Sequence, residues 1–323
     1  MLFTVTQYLE SVLNSRGLTR TLGEIDVCRD EQGRPCFSAG NSAAVFRIRL
    51  GGRIRSLRCY LRPMRHLKEI YGQRLLEKEL YLHTSPETGV WVDTVLGAWI
   101  EGSPLHETVA QAAALRDREC LQILVRLFDR LALALVTDDR AHGDLKPENI
   151  IVGDDGTLCP IDFDASYLPA FAGEISPELG TAAYQHPART AADFDERIDD
   201  YPAALISTAL HALAEDPTLW DRYGSSDGLL YTPQRIASDP AYRETLALFE
   251  KRGMAVQYRI AQLLTAPTLR LFGLAELLAE AVREKPAARS GTEAETPELF
   301  VENGRWGYRT AERVVVAPLY DNG

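Results

Sequence analysis

The chain has 323 residues, 46% hydrophobic and 25% charged, a balance that supports a buried core and excludes general disorder. Its formal net charge of −11 gives a nucleic-acid partner no electrostatic support from the whole-chain balance. Five scattered cysteines without C-x-x-C spacing suggest neither a disulfide framework nor a zinc site.

Met1 to Leu13 has no basic stretch leading into a long apolar run, so no secretory signal is predicted. From about residue 1 to 100 the pattern favours strands: Pro35–Phe37, Ala44–Leu50, Arg55–Leu61 and Val90–Ile100 are short, apolar and rich in β-formers. The arginines between Arg47 and Arg65 alternate with Ile48, Leu50, Ile54, Leu57 and Tyr60, as strands with one solvated face do. One helix is predicted over Met64–Leu82, from the spacing of Leu67, Ile70, Leu75, Leu76 and Leu80. From about 105 to 282 the pattern turns helical, with amphipathic runs at Leu121–Leu135, Tyr201–Leu213, Ala241–Phe249 and Leu274–Val282. The most apolar of these carries Arg126, Asp129 and Arg130, so no membrane insertion is expected, and a reducing cytoplasm is the expected location. Residues 283–298, with two prolines, many charges and almost nothing apolar, read as a flexible linker. Residues 299–323 alternate again and predict a short β-hairpin that is too small to bury a core alone. The whole is an α+β layout, a small strand-rich part followed by a larger helical one.

The chemistry concentrates at His142-Gly143-Asp144-Leu145-Lys146-Pro147-Glu148-Asn149, with Asp162 eighteen residues after Asp144 in Pro160-Ile161-Asp162-Phe163-Asp164. Transfer of a γ-phosphoryl group needs a carboxylate to accept the attacking hydroxyl's proton, oxygen ligands for Mg²⁺, and a cation beside the migrating group. Asp144, the pair Asn149 and Asp162, and Lys146 supply one of each. The apolar runs Ile150–Val152 and Leu158–Ile161, split by Gly153-Asp154-Asp155-Gly156, predict a hairpin that carries Asn149 beside Asp162.

These residues resemble the catalytic loop and the Asp-Phe-Gly segment of protein kinases, the bacterial, eukaryotic-like serine/threonine kind, over roughly 1–282. The resemblance implies a two-lobed protein-kinase-like fold, with a β-rich N-lobe at about 1–100 and an α-helical C-lobe at about 105–282. It also implies ATP and Mg²⁺ as cofactors and a protein substrate. Gly180-Thr181-Ala182-Ala183-Tyr184-Gln185-His186-Pro187-Ala188 resembles the end of an activation segment, although His186 and Ala188 depart from its Ala-Pro-Glu ending. Asp199 resembles the buried aspartate that supports the catalytic loop, and equally fits an ordinary helix N-cap. Trp99-Ile100-Glu101-Gly102 looks like the hinge between lobes, which implies adenine contacts at Ile100 and Gly102.

The amino-terminal part departs most from the family. Only the middle glycine of the glycine-rich loop survives, as Gly40 in Ser38-Ala39-Gly40-Asn41-Ser42-Ala43. Arg58 stands where the family has its third-strand lysine, with Glu77 as its candidate ion-pair partner, Glu69 as a second and Lys68 as an alternative cation. Gly143 replaces the arginine with which many regulated kinases bind a phosphorylated loop, which implies activity independent of such phosphorylation.

Gly304-Arg305-Trp306-Gly307-Tyr308-Arg309 followed by Val314-Val315-Val316 resembles a single WG repeat, a unit that stacks in bacterial arrays and would bind a partner or ligand. Three functions follow from the residues and the resemblance. The first is a protein kinase acting on Ser/Thr hydroxyls. The second is a pseudokinase, a nucleotide-binding scaffold that presents the tail. The third is a small-molecule phosphotransferase of the aminoglycoside type, because His-Gly-Asp resembles that loop as well.

Overall fold

The computed structural model describes residues 2–153 and 156–283, and the backbone of 298–302, 305–309 and 314–318. Contacts divide the chain into two units, Met1–Ile100 and Glu101–Gly323.

The first unit opens with α1 (Val5–Leu13), started by a capping box in which Thr4 accepts from the Gln7 amide and the Gln7 side chain accepts from the Thr4 amide. The strands β1 (Asp26–Val27), β2 (Phe37–Ala39), β3 (Ala43–Leu50), β4 (Arg53–Tyr60), β5 (Leu75–His83) and β6 (Gly89–Ala98) form one antiparallel sheet in the order β1-β3-β4-β6-β5, with β2 also on β3. Phe46 and Ile48 on β3, and Leu57 and Cys59 on β4, face a core completed by Tyr8 and Val12 of α1 and by Leu80 and Leu82. The intervening Arg47 and Arg49 fall on the opposite face, as the period of two requires.

The single helix expected over 64–82 does not form. Only α2 (Leu67–Tyr71) and one 3₁₀ turn, Gly72–Arg74, are helical, and Leu75–His83 is strand β5. Gly72 closes α2 with φ 53° and ψ −124°, a conformation that a side chain disfavours. On β5 the register with β6 shifts between Leu76 and Leu80, and Lys78 has a positive φ of 51°. This irregularity spaces leucines four apart along a strand, which imitates helical periodicity.

The same irregularity turns Glu79 inward, to 1% exposure. Its Oε1 accepts from the amides of Arg20 (3.1 Å), Thr21 (2.8 Å) and Leu22 (2.8 Å), and its Oε2 from the Thr21 hydroxyl (2.6 Å). Glu79→Ala would orphan these donors, so a stability loss of about 3 to 5 kcal/mol is expected in urea unfolding. A loss under about 1 kcal/mol would show that water satisfies the loop instead.

The second unit is mainly helical. It comprises β7 (Gly102–Pro104), α3 (Leu105–Ala114), α4 (Arg118–Thr137), β8 (Ile150–Gly153), β9 (Leu158–Pro160), α5 (Asp200–Glu215), α6 (Leu219–Tyr223), α7 (Pro240–Arg252), α8 (Ala255–Leu263) and α9 (Leu274–Arg283). The expected helical runs fall inside α4, α5, α7 and α9. Helix α5 is buried on nearly every side, as a core helix is, and packs on α4. There Asp129 of α4 accepts from Ser207 Oγ (2.6 Å) and pairs with His211 Nε2 (2.8 Å), both on α5. Strands β7, β8 and β9 make a small antiparallel sheet. Among the described residues no helix is long and apolar enough to cross a membrane.

The backbone of β10 (Glu298–Glu302), β11 (Arg305–Arg309) and β12 (Val314–Pro318) pairs antiparallel, three strands where a hairpin was expected. The side chains on which the WG-like reading depends, and residues 284–297 of the expected linker, lie outside the described residues. A mixed fold, with an antiparallel sheet in one unit and mainly helices in the other, is consistent with the α+β class.

Candidate functional site

Pro147 opens a 3₁₀ turn over Pro147–Asn149, where its missing N–H costs nothing. The turn delivers the chain into the β8–β9 hairpin, which pairs Ile150 with Pro160, Ile151 with Cys159 and Val152 with Leu158. Pairing continues one step further, because the Ile161 amide donates to the Asn149 carbonyl at 2.8 Å. Asp162 follows directly, with a left-handed φ of 68°. The hairpin therefore brings residues thirteen apart in sequence, Asn149 and Asp162, to adjoining positions.

Asp144 is the hub. Its Oδ1 accepts from the Thr181 amide at 2.6 Å, and its Oδ2 lies 3.3 Å from Lys146 Nζ and 3.2 Å from Asn149 Nδ2. Asn149 Nδ2 also donates to the Asp144 carbonyl at 2.9 Å, and Lys146 Nζ donates to the Thr181 hydroxyl at 2.8 Å. The Asp144 and Lys146 side chains remain 19% and 23% exposed, enough for a ligand to reach them. Among the described residues both hydrogen bonds of the Asn149 side chain are donated by Nδ2, which leaves Oδ1 as the atom that can serve a cation.

Behind this cluster, Asp199 is fully buried at the start of α5 and makes no capping hydrogen bond to that helix. Its carboxylate instead accepts from the amides of His142 and Gly143, the latter at 3.0 Å. Burial raises its pKa, opposed by His142, by these two amide bonds and by Arg189. His142 braces the loop in turn: its Nδ1 accepts from the Asp144 amide (3.3 Å), so Nε2 carries the proton donated to the Ile161 carbonyl (2.8 Å). Gly143 has φ 80°, and a Cβ there would sit 2.1 Å from the Ala165 carbonyl oxygen. No side chain can stand at this position without moving the loop. Asp200, next along, reaches Leu271 rather than the loop, and burial pushes its pKa up to about 7.

Ala188 stands where the resembled motif ends in a glutamate, and His186, two residues earlier, makes the contacts of this stretch. Its Nδ1 accepts from the Ala188 amide at 3.1 Å, and its Nε2 donates to the Ala266 carbonyl at 3.0 Å, tying the 180–189 segment to the loop before α9.

The remaining candidates have separate surroundings. Gly102 lies on β7 opposite Gly153 of β8. Ile100 is the last residue of the first unit. Gly40 sits in the β2–β3 turn, where a Cβ would meet nothing within 4 Å. Arg58 is on β4 opposite Val45 and Val95, with its guanidinium 5.6 Å from the Tyr60 ring centre. Glu77 lies on β5 rather than on a helix, and pairs with Lys68 at 3.6 Å. Glu69 is in the first turn of α2. His142 and Arg189 support the loop, and Gln185 holds Arg189, roles that the sequence does not announce. The Gly-Thr motif was a signal for Thr181, but nothing local marked Arg189.

No family model matches this chain. CBL-interacting protein kinase 17 of Oryza sativa subsp. japonica is 27% identical over 173 residues, which cover 51% of this chain and 35% of that protein. The likeness is to a protein kinase. It supports a kinase-like fold over about half the chain, while the match spans about a third of the relative's length.

Proposed function

We propose that this chain is an ATP- and magnesium-dependent protein kinase that transfers the γ-phosphate to Ser/Thr hydroxyls of a protein substrate. The observation that carries the reading is the Asp144 carboxylate, held by Thr181 and faced by Lys146 at 3.3 Å and Asn149 at 3.2 Å. The substrate hydroxyl oxygen attacks the γ-phosphorus, a new O–P bond forms, and the bond to the bridging oxygen breaks with its electron pair leaving on ADP. Asp144 orients that hydroxyl and accepts its proton. Lys146 steadies the migrating group, and the Thr181 hydroxyl holds Lys146 in place. Asn149 and Asp162 offer hard oxygen donors at adjoining positions, a set that fits Mg²⁺. Magnesium, when bound, offsets negative charge on the β- and γ-phosphates. Lysine two residues after the base matches the serine/threonine rather than the tyrosine kinase pattern. Gly40, Arg58, Ile100 and Gly102 are the proposed nucleotide contacts, and a cytoplasmic location goes with this reading.

A second reading is a nucleotide-binding pseudokinase, favoured by the strand at 75–83 and by the pairing of Glu77 with Lys68. Both readings require nucleotide binding, which a thermal shift tests. ATP with Mg²⁺ at a hundredfold excess over Kd is expected to raise Tm by about 5 °C. Asp162→Ala is expected to lose the part of that shift that depends on magnesium. No shift in the unsubstituted protein would overturn both readings.

A further inference from the structure

Gly143 cannot carry a side chain, because its backbone has φ 80° and a Cβ would collide with the Ala165 carbonyl. The loop carries one cation of its own, Lys146 beside Asp144, but a cation at the Gly143 peptide has to come from another part of the chain. Arg189 supplies it. Its Nη1 donates to the Gly143 carbonyl at 3.1 Å and also to Gln185 Oε1. The guanidinium is largely buried, and burial lowers its pKa, opposed first by Asp199 and then by Asp144. Among the described residues its Nε and Nη2 are buried without a hydrogen-bond partner, as is Gln185 Nε2. A buried guanidinium with two unsatisfied N–H sites is costly, and it persists where neighbouring carboxylates balance its charge. Asp199 is one of these, and Asp199 in turn holds the amides of His142 and Gly143. Gly143 is thus gripped at its N–H by Asp199 and at its carbonyl by Arg189, one residue before Asp144.

We infer that Arg189 is a positioning residue for phosphoryl transfer: it fixes the Gly143 peptide from the 180–189 segment and so sets the orientation of Asp144. The inference rests on the reading of Asp144 as the base. Together with the Thr181 amide on Asp144, it ties the segment to the loop without any phosphate group. The segment is then in its working position as synthesised.

The test uses the full chain with Arg189→Gln and Arg189→Lys. Arg189→Gln is expected to lower kcat about thirtyfold, the order that follows from a sub-ångström misplacement of a reacting group, with KM for ATP changed less than about threefold. Lysine keeps the charge and one donor for the Gly143 carbonyl, so Arg189→Lys is expected to recover to within about fivefold of the unsubstituted enzyme. Amide hydrogen exchange at His142 and Gly143 is read in parallel, and is expected to quicken at least about tenfold in Arg189→Gln. A kcat loss under about threefold, or a KM for ATP that rises in step with the kcat loss in both variants, overturns the inference. If the unsubstituted chain transfers no phosphate, the proposed function fails, and exchange alone decides the role of Arg189. Unchanged exchange at the two amides then overturns it, and quickened exchange upholds the grip on the loop. Should Arg189→Gln not fold, the lysine variant carries the same two readouts.

Discussion

Asp144→Asn is expected to cut phosphoryl transfer about a thousandfold while ATP binding survives. A positioned general base contributes about 10² to 10⁴ in rate, and asparagine has the shape of aspartate without its proton affinity. The substitution is nearly isosteric at a side chain that is 19% exposed, so the fold is retained. The amide oxygen can still accept from the Thr181 amide, now 2.6 Å from Oδ1. The new Nδ2 would face two other donors, Lys146 Nζ and Asn149 Nδ2, and the attraction now holding Lys146 is lost. A stability loss of about 1 kcal/mol or less is expected from that partly exposed contact. The measurement is transfer of labelled γ-phosphate to protein, with binding of ATP followed separately. A variant that keeps more than a tenth of the rate would show that Asp144 is not the base. Binding by the unsubstituted protein without any transfer to protein would favour the scaffold reading. Consumption of ATP on a panel of small hydroxyl compounds, with no protein labelling, would move the substrate to that class.

The second large effect is at Asp199. Asp199→Ala removes the acceptor for two buried amides, those of His142 and Gly143, and deprives Arg189 of the carboxylate that most offsets its burial. Each buried N–H left unsatisfied costs about 1 to 3 kcal/mol, so a loss of about 2 to 4 kcal/mol is expected once removal of the carboxylate's own desolvation cost is set against it. The loop also loses its fixed path into Asp144, so kcat is expected to fall about a hundredfold under conditions where the variant is still folded. Urea unfolding read against activity separates the two effects. An ordinary N-cap role predicts a different pattern: a loss of about 1 kcal/mol with activity intact. That outcome would remove Asp199 from the account of the site, whereas a loss in both readouts would place it there.

Much of the second unit is legible along the chain. The period of Leu121, Leu124, Phe128, Leu131 and Leu135 gives α4 without tertiary information, because burial of one helical face imposes its own spacing. The turn residues at 153–156 between two apolar runs give the β8–β9 hairpin, and a hairpin's register follows from its loop length. Asn149 and Asp162 come together for that local reason. The first unit is less legible. Leu75, Leu76 and Leu80 have helical spacing, yet they lie on a strand whose irregularity at Lys78 inserts the extra residues. A strand of this kind is stabilised by its partner β6, which one-dimensional periodicity does not contain. Glu77 is accordingly on a strand with Lys68 for its ion pair, and the buried carboxylate of this stretch is Glu79.

By itself the sequence determined the residue types that phosphoryl transfer needs, together with the local elements that carry them, because base, lysine, asparagine and aspartate all lie on one loop and one hairpin. Only the tertiary structure decided what holds that loop in shape. Asp199, Thr181 and Arg189 act on it from 37 to 57 positions away in the chain, counting from Asp144, Gly143 and His142. Contacts at that separation leave no period and no fixed spacing in a sequence, since they depend on how whole elements pack and on where a buried charge finds its counter-charge.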